Sequence, residues 1–267
     1  MYEDDIAEIV GEFRKAAEGI NAEMASLDVS ALTNSGARPV LKRIGEILRD
    51  LFAKVSEMVA RLFGRAAAEG VSKARESIGV PSKPEPSKTQ DAFVAAATSD
   101  MQADLLAVTQ NIDRRTKAAV RRAVADSMRA NISAGINGRK TLNRDTLARI
   151  RKSLGSSADT AIIDAAGRRW KPEVYVDMVT RTKTMNTQID ATINEALARD
   201  VQYGVISRHG AKDACAKYEG KVVKLTPDAP GDYPYIGDLK ASGAIFHPNC
   251  KHVVSPIRNP ERVINRG

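Results

Sequence analysis

The thiol and imidazole side chains of this 267-residue chain are few, two cysteines and three histidines, and they gather near one end: His209, Cys215, His247, Cys250 and His252. Cys215, His247, Cys250 and His252 make a two-Cys, two-His set, the donor combination zinc takes in closed tetrahedral structural sites. A small loop-rich unit has a physical use for such a clip, because ligation supplies folding energy where the apolar core is thin. The spacing departs from that of a finger, whose ligands come in close pairs, since Cys215 has no neighbouring Cys. A second reading needs no metal: Pro248 fixes a turn, Asn249 bonds backbone, and the four side chains pack a loop. Both readings stay open on the residues alone, so a structural zinc is the one cofactor considered.

An enzyme would need more. A zinc-dependent DNA-processing enzyme of the His-Asn-His type distributes a general base and a metal-binding His over a strand-to-helix unit. His247, Asn249 and His252 are too crowded along the chain for that distribution. No Gly-rich phosphate loop, Ser-His-Asp arrangement or nucleophile elbow stands out, and no residue is assigned a catalytic or cofactor-binding role. Asp213, Tyr218, Glu219, Gly220 and Lys221 flank the first cysteine; Glu219 and Gly220 read most simply as a turn into a strand beginning at Lys221.

These residues must be carried by a mainly helical chain, because aromatics make up only 4% of it and apolar residues recur at helical spacing. Ile6, Ile9, Val10, Phe13, Ala17, Ile20, Met24 and Leu27 predict one amphipathic helix over residues 3–27. Asn34, Ser35, Gly36 and Pro39 then allow a new helix to start. Leu41, Ile44, Leu48, Leu51, Val55, Met58 and Leu62 form a heptad-like seam, widened by Ile47, Phe52, Val59 and Phe63, suited to a bundle core or to self-association as a coiled coil.

Residues 80–90, rich in Pro, Ser and charge, predict a linker. Helical periodicity resumes at Asp91 and carries Arg114, Arg115, Lys117, Arg121 and Arg122, where steps of seven align Arg114 with Arg121 and Arg115 with Arg122. Gly135 and Gly138 mark a turn, Asn143 can cap a short helix ending near Gly155, and Ala161–Trp170 reads as a strand and turn. Pro172 opens a long helix reaching about Asp200. Beyond it, residues 201–207, 221–225 and 253–255 lean to β structure between loops of Pro and Gly. The expected division is therefore N-terminal amphipathic helices over 1–79, a linker over 80–90, a basic helical region over 91–155, and a small C-terminal α+β unit over 156–267.

Charge is segregated along this plan. Residues 1–30 hold eight acids against Arg14 and Lys15, whereas residues 101–155 hold twelve bases against four acids. Opposed blocks suit self-association, a charged partner, or the phosphates of double-stranded DNA; a solvated basic helix face is the plainer explanation. The acidic start lacks the pattern of a secretory leader, and no apolar run approaches a bilayer span, so a protein made in a cytosol, without membrane contact, is expected.

Three motifs in fixed order carry a family resemblance. Ile163, Asp164, Gly167, Arg168, Trp170, Tyr175, Met178, Arg181 and Thr182 come first, then Asp213, Ala214, Cys215, Tyr218, Glu219, Gly220 and Lys221, then His247, Pro248, Asn249, Cys250, His252 and Pro256. Over roughly residues 140–257 the chain resembles the phage minor capsid family of Mu F-like head morphogenesis proteins. The resemblance implies a non-enzymatic structural protein of a tailed phage or prophage, made in the bacterial host cytoplasm and resident in the virion head or near its portal. Portal, major capsid protein and packaged DNA are the implied partners. Many relatives carry a second Cys after the first and a Cys at the place of His252; here Lys217, Tyr218 and His252 stand there, His252 being a chemically acceptable ligand.

Overall fold

A computed structural model describes residues 2–29, 32–81, 88–133, 144–155, 162–163 and 168–264. The expected chain class holds: helices dominate, and a small three-stranded sheet closes the C-terminal part. The helices are α1 (Glu3–Ala25), α2 (Asn34–Ser77), α3 (Lys88–Ser133), α4 (Arg144–Gly155), α5 (Pro172–Leu197), α6 (Ile236–Ala241) and α7 (Glu261–Ile264). The strands are β1 (Ile162–Ile163), β2 (Arg169–Trp170), β3 (Tyr203–Ile206), β4 (Val222–Lys224) and β5 (Val254–Ile257), and a 3-10 turn spans Ala214–Tyr218. The turn expected at Gly135 and Gly138, the Asn143 cap, and Asp164 and Gly167 lie outside the described residues.

The chain divides into two compact units, each built from separated stretches, and α2, α3 and α5 contribute to both. One holds residues 3–58 and 102–177. Its core is the stripe Ile6, Ile9, Val10, Phe13, Ile20 and Met24 of α1, joined by Val40, Ile44, Leu48, Leu51 and Val55 of α2 and Leu105, Val108, Ile112, Val120 and Val124 of α3. Most of the α2 seam is thus buried inside the chain, with Leu41, Ile47 and Phe52 half-buried. Thr33 caps α2, its Oγ1 accepting from Gly36 N at 3.1 Å. Pro39 falls in the second turn of α2 rather than the first, because the helix begins at Asn34. Ion pairs Lys54–Glu12 (2.9 Å) and Arg43–Glu23 (2.5 Å) stitch α2 to α1 along the polar edge of the seam. β1 and β2 pair antiparallel within the stretch expected as a strand and turn, and the turn itself lies outside the described residues.

The second unit comprises Tyr2, residues 59–101 and residues 178–267. Within it, α2 runs on to Ser77, burying Ala66, Ala67, Val71 and Ala74, and Ala67 and Val71 cluster with Ala191 of α5. α3 starts at Lys88, inside the segment expected as a linker. The sheet has the order β4-β3-β5, antiparallel throughout, with Val205 opposite Val222 and Ile206 opposite Val254. Pro256 sits on the edge strand β5, where its missing N–H is tolerated. Gly204 occupies the central strand because a Cβ there would come within 2.5 Å of Val254 Cγ1. Ile189, Val201, Ile206, Val223, Leu225, Ile236, Ile245, Phe246 and Val254 form the core beneath the sheet, and Cys215 is part of it.

Candidate metal centre and basic helix face

Three segments of the second unit bring the Cys and His residues together. The β3–β4 connection supplies His209, Cys215 and Glu219. Asp213 caps its 3-10 turn, one carboxylate oxygen accepting from Cys215 N at 2.9 Å, and that bond holds the Asp213 carboxyl below its usual range. Glu219 ends the turn, and Gly220 follows at φ 74°, roofed by the Arg208 guanidinium where a Cβ would lie 2.1 Å from Nε.

The second segment is the turn His247-Pro248-Asn249-Cys250. Cys250 N donates to His247 O at 2.9 Å, and Asn249 takes φ 64°, so Pro and a residue with positive φ occupy the two central positions as a type II turn requires. Pro248 therefore fixes a turn as expected, and that turn places His247 and Cys250 side by side. The third segment is His252, which leads into β5.

Cys215 Sγ lies 2.9 Å from His247 Nε2 and 3.9 Å from Cys250 Sγ, and Cys250 Sγ lies 3.2 Å from His252 Nδ1. Donor atoms of Cys215, His247 and Cys250 are all within 4.8 Å of one another, as are those of His209, Glu219 and His252. All four sequence-derived ligand candidates meet in one region, but His252 groups with His209 and Glu219. Cys215 and His252 are each only 1% exposed. Burial pushes the Cys215 thiol up to about 12, with the neighbouring Cys250 adding to the shift.

Glu219 does more than make the expected turn. Its Oε1 accepts from His209 N (2.9 Å), Ala211 N (3.0 Å) and His252 Nε2 (3.2 Å). The two backbone donors, followed by His252, bring its carboxyl down to about 2. His209 packs against His252 with ring centroids 4.1 Å apart and the rings tilted by 40°. The roles of His209 and Glu219 escape a spacing argument, although Glu219 stands within the second motif of the resemblance.

A zinc ion holds thiolates at about 2.3 Å, so two on one tetrahedral ion stand about 3.8 Å apart, close to the Cys215–Cys250 separation. The sulfur-to-nitrogen distances are shorter than the tetrahedral edge of about 3.6 Å, so ligation would part Cys215 from His247 by about 0.7 Å and Cys250 from His252 by about 0.4 Å. The donor set, two sulfurs and imidazole nitrogens, suits zinc.

The basic residues of α3 separate into two groups. Arg114, Arg121 and Arg122 are exposed, Arg114 also donating to Asn111 Oδ1 at 3.1 Å. Lys117 is ion-paired with Asp113 at 2.6 Å, and Arg115 is half-buried with its Nη1 sealed from solvent. Among the described residues no helix is long and apolar enough to cross a membrane.

No curated protein and no solved structure matches the chain. Residues 26–259 match the family of phage minor capsid protein 2. That match reaches far beyond the stretch over which the three motifs carry a resemblance, taking in α2 and α3, whose helical faces hold no short motif by which to recognise them. The Cys215, Glu219 and His247–His252 constellation is therefore set in a structural protein of the phage head: the chain belongs to the phage minor capsid, head morphogenesis family.

Proposed function

We propose that this minor capsid protein works by assembly contacts with the portal and/or major capsid protein, in the head interior or beside the portal, after synthesis in the host cytoplasm. Its C-terminal unit is clipped by a structural zinc on Cys215, His247, Cys250 and His252. The observation that carries this reading is a family match along most of the chain, joined to a Cys/His cluster whose Cys215 and His252 are closed to solvent. A cluster so buried serves to hold two loops together, as closed structural zinc sites do. Self-association through the N-terminal helices would use their charged faces, since Ile44, Leu48, Leu51 and Val55 are already buried. Double-stranded DNA meets Arg114, Arg121 and Arg122, three exposed bases of α3.

Co-expression with the portal and major capsid proteins tests the assembly reading: the chain is expected to co-purify with one of them, and to leave DNA uncut when zinc is added. Zinc-dependent cleavage abolished by His247→Ala would replace this reading with that of a DNA-processing enzyme. For DNA contact, changing Arg114, Arg121 and Arg122 together to Ala is expected to lower the slope of log affinity against log salt by about 2–3. An unchanged slope refutes the contact.

A further inference from the structure

The two groups of donor atoms pose a question of number, one metal or two. We infer that they serve a single metal, with His252 ligating through Nδ1 and Glu219 acting as the positioning carboxylate that aims it; this rests on the zinc clip proposed above. His252 presents Nδ1 to Cys250 Sγ at 3.2 Å and Nε2 to Glu219 Oε1 at 3.2 Å, so its two ring nitrogens have different partners. A neutral imidazole has one N–H, and an ionised carboxylate can only accept. Glu219 therefore fixes the proton on Nε2 and leaves the Nδ1 lone pair facing the thiol of Cys250. Metal-bound histidines are held in this way, the far ring nitrogen donating to a carboxylate or carbonyl.

A second metal between His209, Glu219 and His252 would have to compete with what already fills that space. Glu219 Oε1 is engaged by the backbone N–H groups of His209 and Ala211, and those bonds shape the loop leaving β3. A cation there would also need the Nε2 lone pair, which requires moving the His252 proton to Nδ1 and thereby removing a ligand from the first metal. His209, with its side chain 38% exposed, packs at a 40° tilt against the His252 ring. Asp213 is the rival for the fourth position, its Oδ2 being 3.8 Å from His247 Nε2. Its Oδ1 caps the 3-10 turn, and its side chain is 60% exposed, whereas His252 is buried with Nδ1 3.2 Å from Cys250 Sγ.

The test uses the full chain, reconstituted with zinc or cobalt(II), counted by elemental analysis and native mass, and labelled with nitrogen-15 at its three histidines. One metal per chain is expected, with His252 protonated at Nε2 and ligated at Nδ1 in long-range proton–nitrogen spectra. His209→Ala is expected to keep one metal. Glu219→Gln, which retains an acceptor oxygen for the backbone donors but loses the charge, is expected to weaken metal affinity by about 10–100-fold. Two metals per chain, metal lost in His209→Ala, or undiminished affinity in Glu219→Gln overturns the inference. One metal with His252 unligated overturns it too, while leaving a clip of other composition; no metal at all overturns the clip itself. The count and the His252 tautomer are read on the unaltered protein, so the outcome does not hang on how Glu219→Gln folds.

Discussion

Gly70 and Gly64 lie in the same helix, α2, and their replacement by Ala should change stability in opposite directions. Ala is favoured over Gly inside a helix by about 1 kcal/mol, so the bare expectation for both is a gain. A Cβ at Gly64 meets nothing within 4 Å, and Gly64→Ala should keep that gain. At Gly70 the new Cβ would stand 2.3 Å from the Gln188 carbonyl oxygen of α5, 3.2 Å from Ala191 Cβ and 3.1 Å from Thr192 Oγ1. The nearest of these is backbone and cannot rotate away.

To reach ordinary contact the helices must move apart by about 1 Å locally, which forfeits roughly a quarter to a half of the dispersion energy of each atom pair at the crossing. The single proton of Thr192 Oγ1 is shared between Gly70 O (3.1 Å) and Gln188 O (2.9 Å), and separation leaves it to Gln188 alone, a loss of up to about 1 kcal/mol. Overpacking adds about 1–3 kcal/mol. Set against the propensity gain, Gly70→Ala should destabilise by about 1–3 kcal/mol, or lower Tm by about 3–9 °C at this chain length. Thermal and urea unfolding of the three proteins, followed by circular dichroism, measures both signs. A Gly70→Ala protein as stable as Gly64→Ala would refute the close crossing of α2 and α5.

Arg75 is buried on α2 and donates through Nε to Glu195 Oε1 at 2.6 Å, while Arg199 donates to the same oxygen at 2.7 Å. Glu195→Leu should destabilise the protein by more than about 1 kcal/mol in urea unfolding because it removes the carboxylate that the buried Arg75 and Arg199 share, and a smaller loss would show the pair to be solvated. Burial raises the pKa of Glu69, but hydrogen bonds from Lys73 and from the Tyr2 hydroxyl (2.6 Å) outweigh it and leave the carboxyl below its ordinary value. A depressed carboxylate contributes stability above its unfolded pKa and loses it as pH falls through the folded value. The stability gap between the natural chain and Tyr2→Phe should therefore narrow as pH drops below about 4, and a gap constant from neutral pH to pH 3 would contradict the assignment.

Strong periodicity was enough to read the first helix: the 3–27 expectation meets an observed Glu3–Ala25, whose core stripe is the predicted one save that Ala16 rather than Ala17 is buried. The strands also fall where β-leaning residues stand between Pro and Gly. Farther along α2 the contrast fades, because Ala66, Ala67, Gly70 and Ala74 face inward and small residues do not register as an apolar seam. α3 is blurred for a different reason, its buried surface including Thr109, Thr116 and Ser127. The 3-10 turn and α6 are short and have no periodicity to read; the former is set by the Asp213 cap and by burial of Cys215. Partners across a hairpin are equally silent in sequence, which is why Glu219 receiving the N–H groups of His209 and Ala211 emerges only from the fold.

For the His247–Cys250 segment, sequence offers a packed turn or a metal ligand set as alternatives, and in the structure the turn is what brings the candidate ligands together. The type II turn places His247 O and Cys250 N at 2.9 Å and so forces the imidazole and the thiol, three residues apart, onto the same side of the loop beside Cys215. Asn249 accepts its φ of 64° at small cost, as Asn often does. Phe246, just ahead of the turn, does not: a bulky residue at φ 60° costs about 1–3 kcal/mol, and only its burial in the core beneath the sheet holds it there. A loop needed merely to cover the core could relax that residue by moving its turn outward. Moving the turn outward would carry His247 and Cys250 away from Cys215, so the strained backbone and the close Cys/His cluster are two aspects of one constraint.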